Sequence, residues 1–156
     1  MAEEQDASED METSIHIRPV KEIDADAVQL LSGQLGYHLS FEETLANIRE
    51  ILSNKDQAAF VACKEDAIIG WIHIFRTVRL ELKSFIEIGG LIIDENYRKH
   101  GVGKLLVDSA IKMAKEKHVR KIRARCNKKQ IEAHKFYKAL GFVESKEQKV
   151  FELTIE

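Results

Sequence analysis

The chain has 156 residues, 44% of them apolar and 32% charged, with a formal net charge of −2. That size and mix suit one soluble domain able to bury a core without metals or disulfides. No run of about 18 apolar residues exists, which excludes a membrane-spanning helix. Residues 1–14 hold six acids and no base. With no apolar stretch they read as a flexible acidic tail rather than a secretory leader, leaving residues 15–156 as the domain.

In chain order, residues 15–18 alternate apolar and polar and run into Pro19, the only proline, as a short edge strand. Residues 22–35 carry Ile23, Ala27, Leu30, Leu31 and Leu35 at helical spacing, with Gly36 as a stop. Ser40 followed by Glu43 predicts a capped helix over 41–52. Residues 57–64 and 68–80 read as strands joined by a hairpin turn at Lys64-Glu65-Asp66. A third strand, 83–93, is interrupted by Gly89-Gly90, and glycine inside a strand marks a bulge or a close backbone approach. Residues 101–117 form the best amphipathic helix, with Val102, Leu105, Leu106, Ala110, Met113 and Ala114 on one face. A strand over 119–126, a helix over 130–140 and a closing hairpin over 142–155 complete the order βααβββαβαββ. This is a mixed α/β domain, with a parallel pair expected where 83–93 and 119–126 flank a helix.

Cys63 and Cys126 lie in strand-like runs and read as buried free thiols in a reducing, cytoplasmic compartment, with a disulfide between them as the lesser alternative. The six histidines, His16, His38, His73, His100, His118 and His134, lack the spacing of a metal site, so no metal is expected.

The small net charge conceals an asymmetry. Between Arg98 and Lys135 there are thirteen Lys or Arg against three acids. A solvated helical face explains such a run, and so does an anion site. The junction 91–103 favours the anion. There Arg98-x-x-Gly101-x-Gly103 turns a strand end, Leu91-Ile92-Ile93, into the amphipathic helix. Glycines let the backbone approach a ligand closely, and a helix N-terminus offers unpaired N–H donors with a partial positive charge. Arg98, Lys99 and Lys104 add full charges. The sequence is neither a P-loop, since Lys104 is followed by Leu105, nor a dinucleotide fingerprint, since Leu106 stands where a third glycine is needed. Further on, Ala133, Phe136, Tyr137 and Leu140 share one face of a helix closed by Gly141. A buried Tyr137 phenol needs a partner for its hydroxyl.

Taken together, Arg98-x-x-Gly101-x-Gly103 and Ala133-x-x-Phe136-Tyr137-x-x-x-Gly141-Phe142, one helix and one strand apart, resemble the two signatures of the GNAT superfamily. The resemblance spans about 15–155. It implies a splayed, V-shaped mixed sheet flanked by helices, with acetyl-CoA lying between the strand ending at Ile93 and the strand ending at Cys126. It assigns Arg98, Lys99, His100, Gly101, Val102, Gly103 and Lys104 to the pyrophosphate, and backbone groups of Leu91, Ile92 and Ile93 to the pantetheine arm and oxyanion. Asn127, Ala133, Phe136 and Tyr137 become further cofactor contacts. Glu87 is the expected general base, since an ammonium of pKa ~10.4 must lose a proton before it attacks. Tyr137 is expected to protonate the leaving thiolate.

The amine acceptor has no spacing signature. Tyr37, His38, Trp71, His73 and Phe75 are the candidates, and a small molecule is the expected acceptor. A protein or peptide amine and a non-catalytic acetyl-CoA-binding module are the alternatives. No nucleic-acid or membrane partner is expected, and a homodimer is left open.

Overall fold

The computed structural model describes residues 14–156, so the acidic segment read as a tail lies outside the described residues except for Ser14. Five strands form one sheet in the order β1 (Ile15–Pro19), β2 (Gln57–Lys64), β3 (Ala67–Thr77), β4 (Phe85–Ile93) and β5 (Ile122–Ala124). The first four are antiparallel neighbours, and β5 joins β4 in parallel. Helices α1 (Ala25–Gly33) and α2 (Phe41–Leu52) separate β1 from β2, and α3 (Val102–Glu116) connects β4 to β5. The strand–helix–strand unit and the parallel pair expected from the sequence are both present. By contact the chain divides into two compact units, one ending at Ala124 and one comprising Arg125–Glu156.

The two-residue period of β2 assigns its faces. Ala59, Val61 and Cys63 join Val20, Ala25, Val28, Leu45, Ile48, Ile68 and Trp71 in one apolar cluster beneath α1 and α2. α3 packs against β2, β3 and β4, burying Val102, Leu106, Val107, Ala110, Met113 and Ala114. Close approach is needed here. A Cβ on Gly70 would stand 3.0 Å from the Ile92 carbonyl oxygen and 3.3 Å from a Leu106 methyl.

The local signals behave as their chemistry dictates. Ser40 caps α2 by accepting from the Glu43 N–H at 3.1 Å. Glu65 takes φ 56° in the tight turn between β2 and β3. The expected helix over 22–35 differs in detail. A 3-10 turn occupies Glu22–Asp24 and α1 starts at Ala25. The buried positions are Ala25 and Leu31, whereas Ile23 and Leu30 are exposed. The turn is set by Asp24, whose carboxylate accepts from Arg18 Nη1 and Nη2 at 2.7 and 2.8 Å and from the Lys21 N–H at 2.8 Å. That anchor rotates the helix away from the face the spacing suggested.

The strand expected over 119–126 is reduced to Ile122–Ala124, because its ladder with β4 ends at Ile88↔Ala124, immediately before Gly89. In the second unit, α4 (Ile131–Ala139) is followed by Gly141 at φ 96°. The closing hairpin expected over 142–155 is absent: these residues form neither helix nor strand. Alternation is local, but a strand also needs a neighbouring ladder.

Burial alone would push the Asp24 carboxyl up, but Arg18 and the Lys21 N–H outweigh it and hold its pKa below the ordinary 3.8. A depressed carboxyl pKa contributes stability that is present above the unfolded value and lost as pH falls through the folded one. Asp24→Asn is therefore expected to cost about 3 kcal/mol near neutrality, by stranding Arg18 beside a neutral amide. It should also flatten the loss of stability below pH ~4. Melting temperatures across pH 3–7 check both, and an unchanged acid limb would remove Asp24 from that role.

Candidate functional site

The β3–β4 ladder pairs His73 with Gly90 but Ile74 with Ile88. Gly89 is the extra residue of a β-bulge, as the glycine pair suggested. Its cause lies across the ladder. Trp71, His73 and Phe75 share one face of β3 and cross over the two glycines. A Cβ on Gly89 would meet Phe75 Cε1 at 2.7 Å and His73 Nδ1 at 3.1 Å, and one on Gly90 would meet the Trp71 ring at 2.9 Å. Any larger residue collides with these rings. The bulge also marks where β4 continues alone: from Gly89 to Ile93 it keeps β3 on one side and has no β5 partner on the other.

The aromatic row is polarised. His73 Nε2 lies 2.8 Å from Gln57 Oε1. An amide oxygen only accepts, so Nε2 carries the proton and Nδ1 the lone pair. Burial lowers the His73 pKa below its ordinary 6.5, which keeps the ring neutral at pH 7. His73 and Phe75 stack with centroids 5.3 Å apart. Trp71 Nε1 is buried with no hydrogen-bond partner among the described residues.

Two residues before the bulge, Glu87 is buried at 8% exposure. Its Oε2 accepts from Thr77 Oγ1 at 3.2 Å. The alternative that simple alternation points Glu87 to solvent is thereby set aside. Thr77, which reaches Glu87 diagonally from β3, carries no sequence signal that would have selected it.

After β4, Asp94 opens a 3-10 turn over Glu95–Tyr97 by accepting from the Asn96 N–H at 2.9 Å. The Lys64 ammonium sits 5.3 Å over the Tyr97 ring and ties this turn to the end of β2. Lys99 at φ 66° and Gly101 at φ 81° then reverse the chain into α3. The first helical bond is made by Leu105 to the Gly101 carbonyl. Backbone N–H groups of residues 99–104 consequently have no partner among the described residues. Arg98, Lys99, His100, Gly101 and Lys104 are exposed, while Val102 and Gly103 are buried. Arg98 Nε reaches the Ile93 carbonyl at 3.4 Å. Successive unpaired donors, a helix N-terminus and three cations are features that suit an anion.

Tyr37 and His38 line a concavity of ≈ 570 Å³ together with Asp26, Gln29, Leu30, Gly33 and Leu39. Gln29 Nε2 donates to the Leu39 carbonyl at 2.9 Å and fixes this loop to α1. None of Trp71, His73 or Phe75 lines it, so the expected acceptor residues fall into two groups. Asp26, Gln29, Leu30 and Gly33 were missed from the sequence, although their i, i+3, i+4, i+7 spacing marks one exposed face of α1.

In the second unit, Ala133, Phe136, Tyr137 and Leu140 are half-buried along α4. Tyr137 meets Phe136 and Phe142 edge-on, each at 5.1 Å. Burial, assisted by the Cys126 thiol, pushes the Tyr137 pKa well above its ordinary 10. Its hydroxyl has no hydrogen-bond partner among the described residues. Asn127 is largely engaged in its own turn, accepting from the Lys129 N–H through Oδ1 and from His134 Nε2 through its carbonyl, both at 2.9 Å. Both cysteines are free thiols, Cys63 buried and Cys126 partly so. No cluster of His, Cys, Asp or Glu among the described residues could hold a metal ion.

Residues 25–142 match the family model described as Acetyltransferase (GNAT) family. The chain belongs to that family. Solved structures agree on the GNAT fold. A transcriptional regulator from Bacillus halodurans C-125 is 25% identical, with a TM-score of 0.80 over 89% of this chain and 99% of its own. AAC(6')-Iy in complex with the bisubstrate analogue CoA-S-monomethyl-acetylneamine is 21% identical, with a TM-score of 0.80 over 90% and 99%. The aminoglycoside 6'-N-acetyltransferase AAC(6')-Ih from Acinetobacter baumannii is 17% identical, with a TM-score of 0.80 over 91% and 99%. In this GNAT chain the bulge is therefore a feature of an acetyltransferase sheet, shaped by three aromatic side chains of its own.

Because Trp71 is the only tryptophan, its packing can be read directly. Gly90→Ala is expected to displace the Trp71 ring, cost about 1–3 kcal/mol and shift the emission maximum. An unchanged spectrum and stability would show that the glycine is not required by the ring.

Proposed function

We propose that this chain transfers an acetyl group from acetyl-CoA to a primary amine by direct attack within a ternary complex, with a small molecule as acceptor. The observation carrying this reading is the row of unpaired N–H groups at 99–104 opening α3. Beside Arg98, Lys99 and Lys104 it suits a pyrophosphate. A solved aminoglycoside N-acetyltransferase in complex with CoA, 20% identical, supports the same ligand. The domain in this reading runs over 15–156, and the two free thiols fit a reducing, cytoplasmic setting.

Acetyl-CoA supplies the acetyl group as an activated thioester. Among the described residues the edge of β4 away from β3 has no ladder partner beyond Ile88, which leaves backbone groups among Leu91, Ile92 and Ile93 for the pantetheine arm. The Ile92 or Ile93 N–H holds the oxyanion. Glu87 accepts the proton that the acceptor ammonium must lose. Tyr137 gives its proton to the departing thiolate. The raised Tyr137 pKa supports a donor role, because the phenol stays protonated throughout the neutral range. Asn127, Ala133 and Phe136 complete the cofactor contacts, with the Asn127 Nδ2 as the remaining side-chain donor.

Tyr37 and His38 around their concavity, with Trp71, His73 and Phe75, form the acceptor surface. The Asp26 carboxylate there suits a cationic amine. Several solved relatives are named aminoglycoside N-acetyltransferases. Both points support a small polycationic acceptor over a peptide.

At a hundredfold excess over its Kd, acetyl-CoA is expected to stabilise the chain by about 2.7 kcal/mol and raise Tm by several degrees. Replacing Arg98 and Lys99 together by alanine should weaken acetyl-CoA about tenfold or more, and unchanged affinity would overturn the loop assignment. Thiol release from acetyl-CoA across a panel of aminoglycosides, polyamines and peptides identifies the acceptor.

Glu87→Gln is expected to lower kcat about a hundredfold or more with acetyl-CoA affinity retained. Tyr137→Phe should lower kcat by a constant factor across pH 6–9, since the phenol does not titrate there. A Tyr137→Phe effect that varied across this range would argue against the donor role.

A further inference from the structure

The strand that crosses the bulge carries one ring nitrogen with nothing to bond. Gln57, the first residue of β2, lies opposite Phe75, while the small Ala59 lies opposite His73. From its diagonal position the Gln57 amide oxygen accepts from His73 Nε2 at 2.8 Å. The Phe75 ring stacks on the imidazole at 5.3 Å. Two contacts therefore fix this ring. Phe75 holds its tilt and Gln57 sets its tautomer.

Nδ1 is what the arrangement leaves free. It carries the lone pair and has no hydrogen-bond partner among the described residues. It stands 3.1 Å from where a Gly89 Cβ would be. Gly89 is exposed, directly after four buried residues of β4. The lone pair thus lies beside an opening in the strand, two residues on from the buried Glu87. Burial keeps the imidazole neutral near pH 7, so the lone pair stays available. Packing alone does not account for these residues. An apolar ring would stack on Phe75 without the cost of desolvating an imidazole and an amide.

We propose that Gln57 and His73 hold a hydrogen-bond acceptor for the attacking amine, with Gln57 fixing the tautomer and His73 Nδ1 accepting one N–H. The proposal rests on the amine-acetylation reading above. A primary ammonium that gives one proton to Glu87 keeps two N–H groups and gains a lone pair. With one N–H held at Nδ1, that lone pair has a set direction for attack. His73 keeps its own proton on Nε2 and transfers none. It is a substrate-binding residue, and Gln57 is a positioning residue that acts through it.

Asparagine and glutamine separate the two ring nitrogens. An asparagine oxygen reaches the place of Nδ1, and a glutamine amide nitrogen reaches that of Nε2. His73→Asn keeps the acceptor and gives up the bond to Gln57, and His73→Gln does the opposite. With neamine and spermidine as acceptor probes, His73→Gln should lower kcat/KM about tenfold or more, and His73→Asn distinctly less. A purely structural histidine predicts the reverse order, and that order or equal losses would overturn the proposal. Gln57→Leu should lower kcat/KM by itself and add nothing to His73→Gln; an added loss would overturn its positioning role. Long-range proton–nitrogen NMR on isotope-labelled histidine needs no acceptor. It should find the His73 proton on Nε2, and a proton on Nδ1 would also overturn the proposal. Far-UV circular dichroism and acetyl-CoA affinity confirm that each variant keeps its fold and donor site. A native chain that binds acetyl-CoA yet acetylates neither probe would overturn the acceptor reading itself, whereas the order of the variants bears on Nδ1 alone.

Discussion

A single extra residue in β4 organises the rest of this structure. Between Ile74↔Ile88 and His73↔Gly90 the ladder skips Gly89, and everything downstream follows from that mismatch. The parallel ladder to β5 ends one residue earlier, at Ile88. β4 then runs on to Ile93 with one edge unladdered and delivers the chain to the loop before α3. Glycine in a strand interior costs about 0.5–1 kcal/mol relative to alanine. Two in succession are tolerated because the Trp71, His73 and Phe75 rings occupy the space where side chains would stand. Removing side chains from β4 and adding large ones to β3 are two halves of one packing solution.

The loop after β4 stores strain where the bulge delivers it. A lysine at φ 66° is unusual, since a Cβ in the left-handed region costs of order 1–2 kcal/mol. Lys99 adopts it two residues before Gly101 does the same without that cost. The pair turns six consecutive amides away from the chain's own carbonyls. Tyr97, held under the Lys64 ammonium, keeps the turn seated on the sheet. The features that suit an anion thus belong to backbone direction first and to Arg98, Lys99 and Lys104 second.

Features written in adjacent residues were legible from the sequence. The Ser40–Glu43 cap, the Glu65 turn, the glycine bulge and the Arg98-x-x-Gly101-x-Gly103 entry to α3 are each decided within a few positions. Features that depend on distant partners were not. The buried face of α1 is set by Asp24 gripping Arg18, six residues away, and this left Ile23 and Leu30 exposed. The length of β5 is set by a bulge in another strand. Residues 142–155 have strand-like alternation, yet alternation specifies only that a partner is wanted, not where it lies.

The same distinction separates the two halves of the candidate site. The elements proposed for the donor are built into the sheet and the α3 entry, where a Cβ on Gly70 would stand 3.0 Å from the Ile92 carbonyl oxygen and 3.3 Å from a Leu106 methyl. The surface proposed for the acceptor lies on an exposed face of α1 and the loop after it, held by Gln29 donating to the Leu39 carbonyl and by the Tyr37 N–H donating to the Ser32 carbonyl. Substitution of Asp26, Leu30, Tyr37 or His38 removes no buried side chain and interrupts no ladder. A surface of this kind can change its amine while the bulge, the loop and the core stay as they are. The physical cost of altering specificity is therefore low where the sequence is least patterned. The cost of altering the donor loop is high where the pattern is strongest.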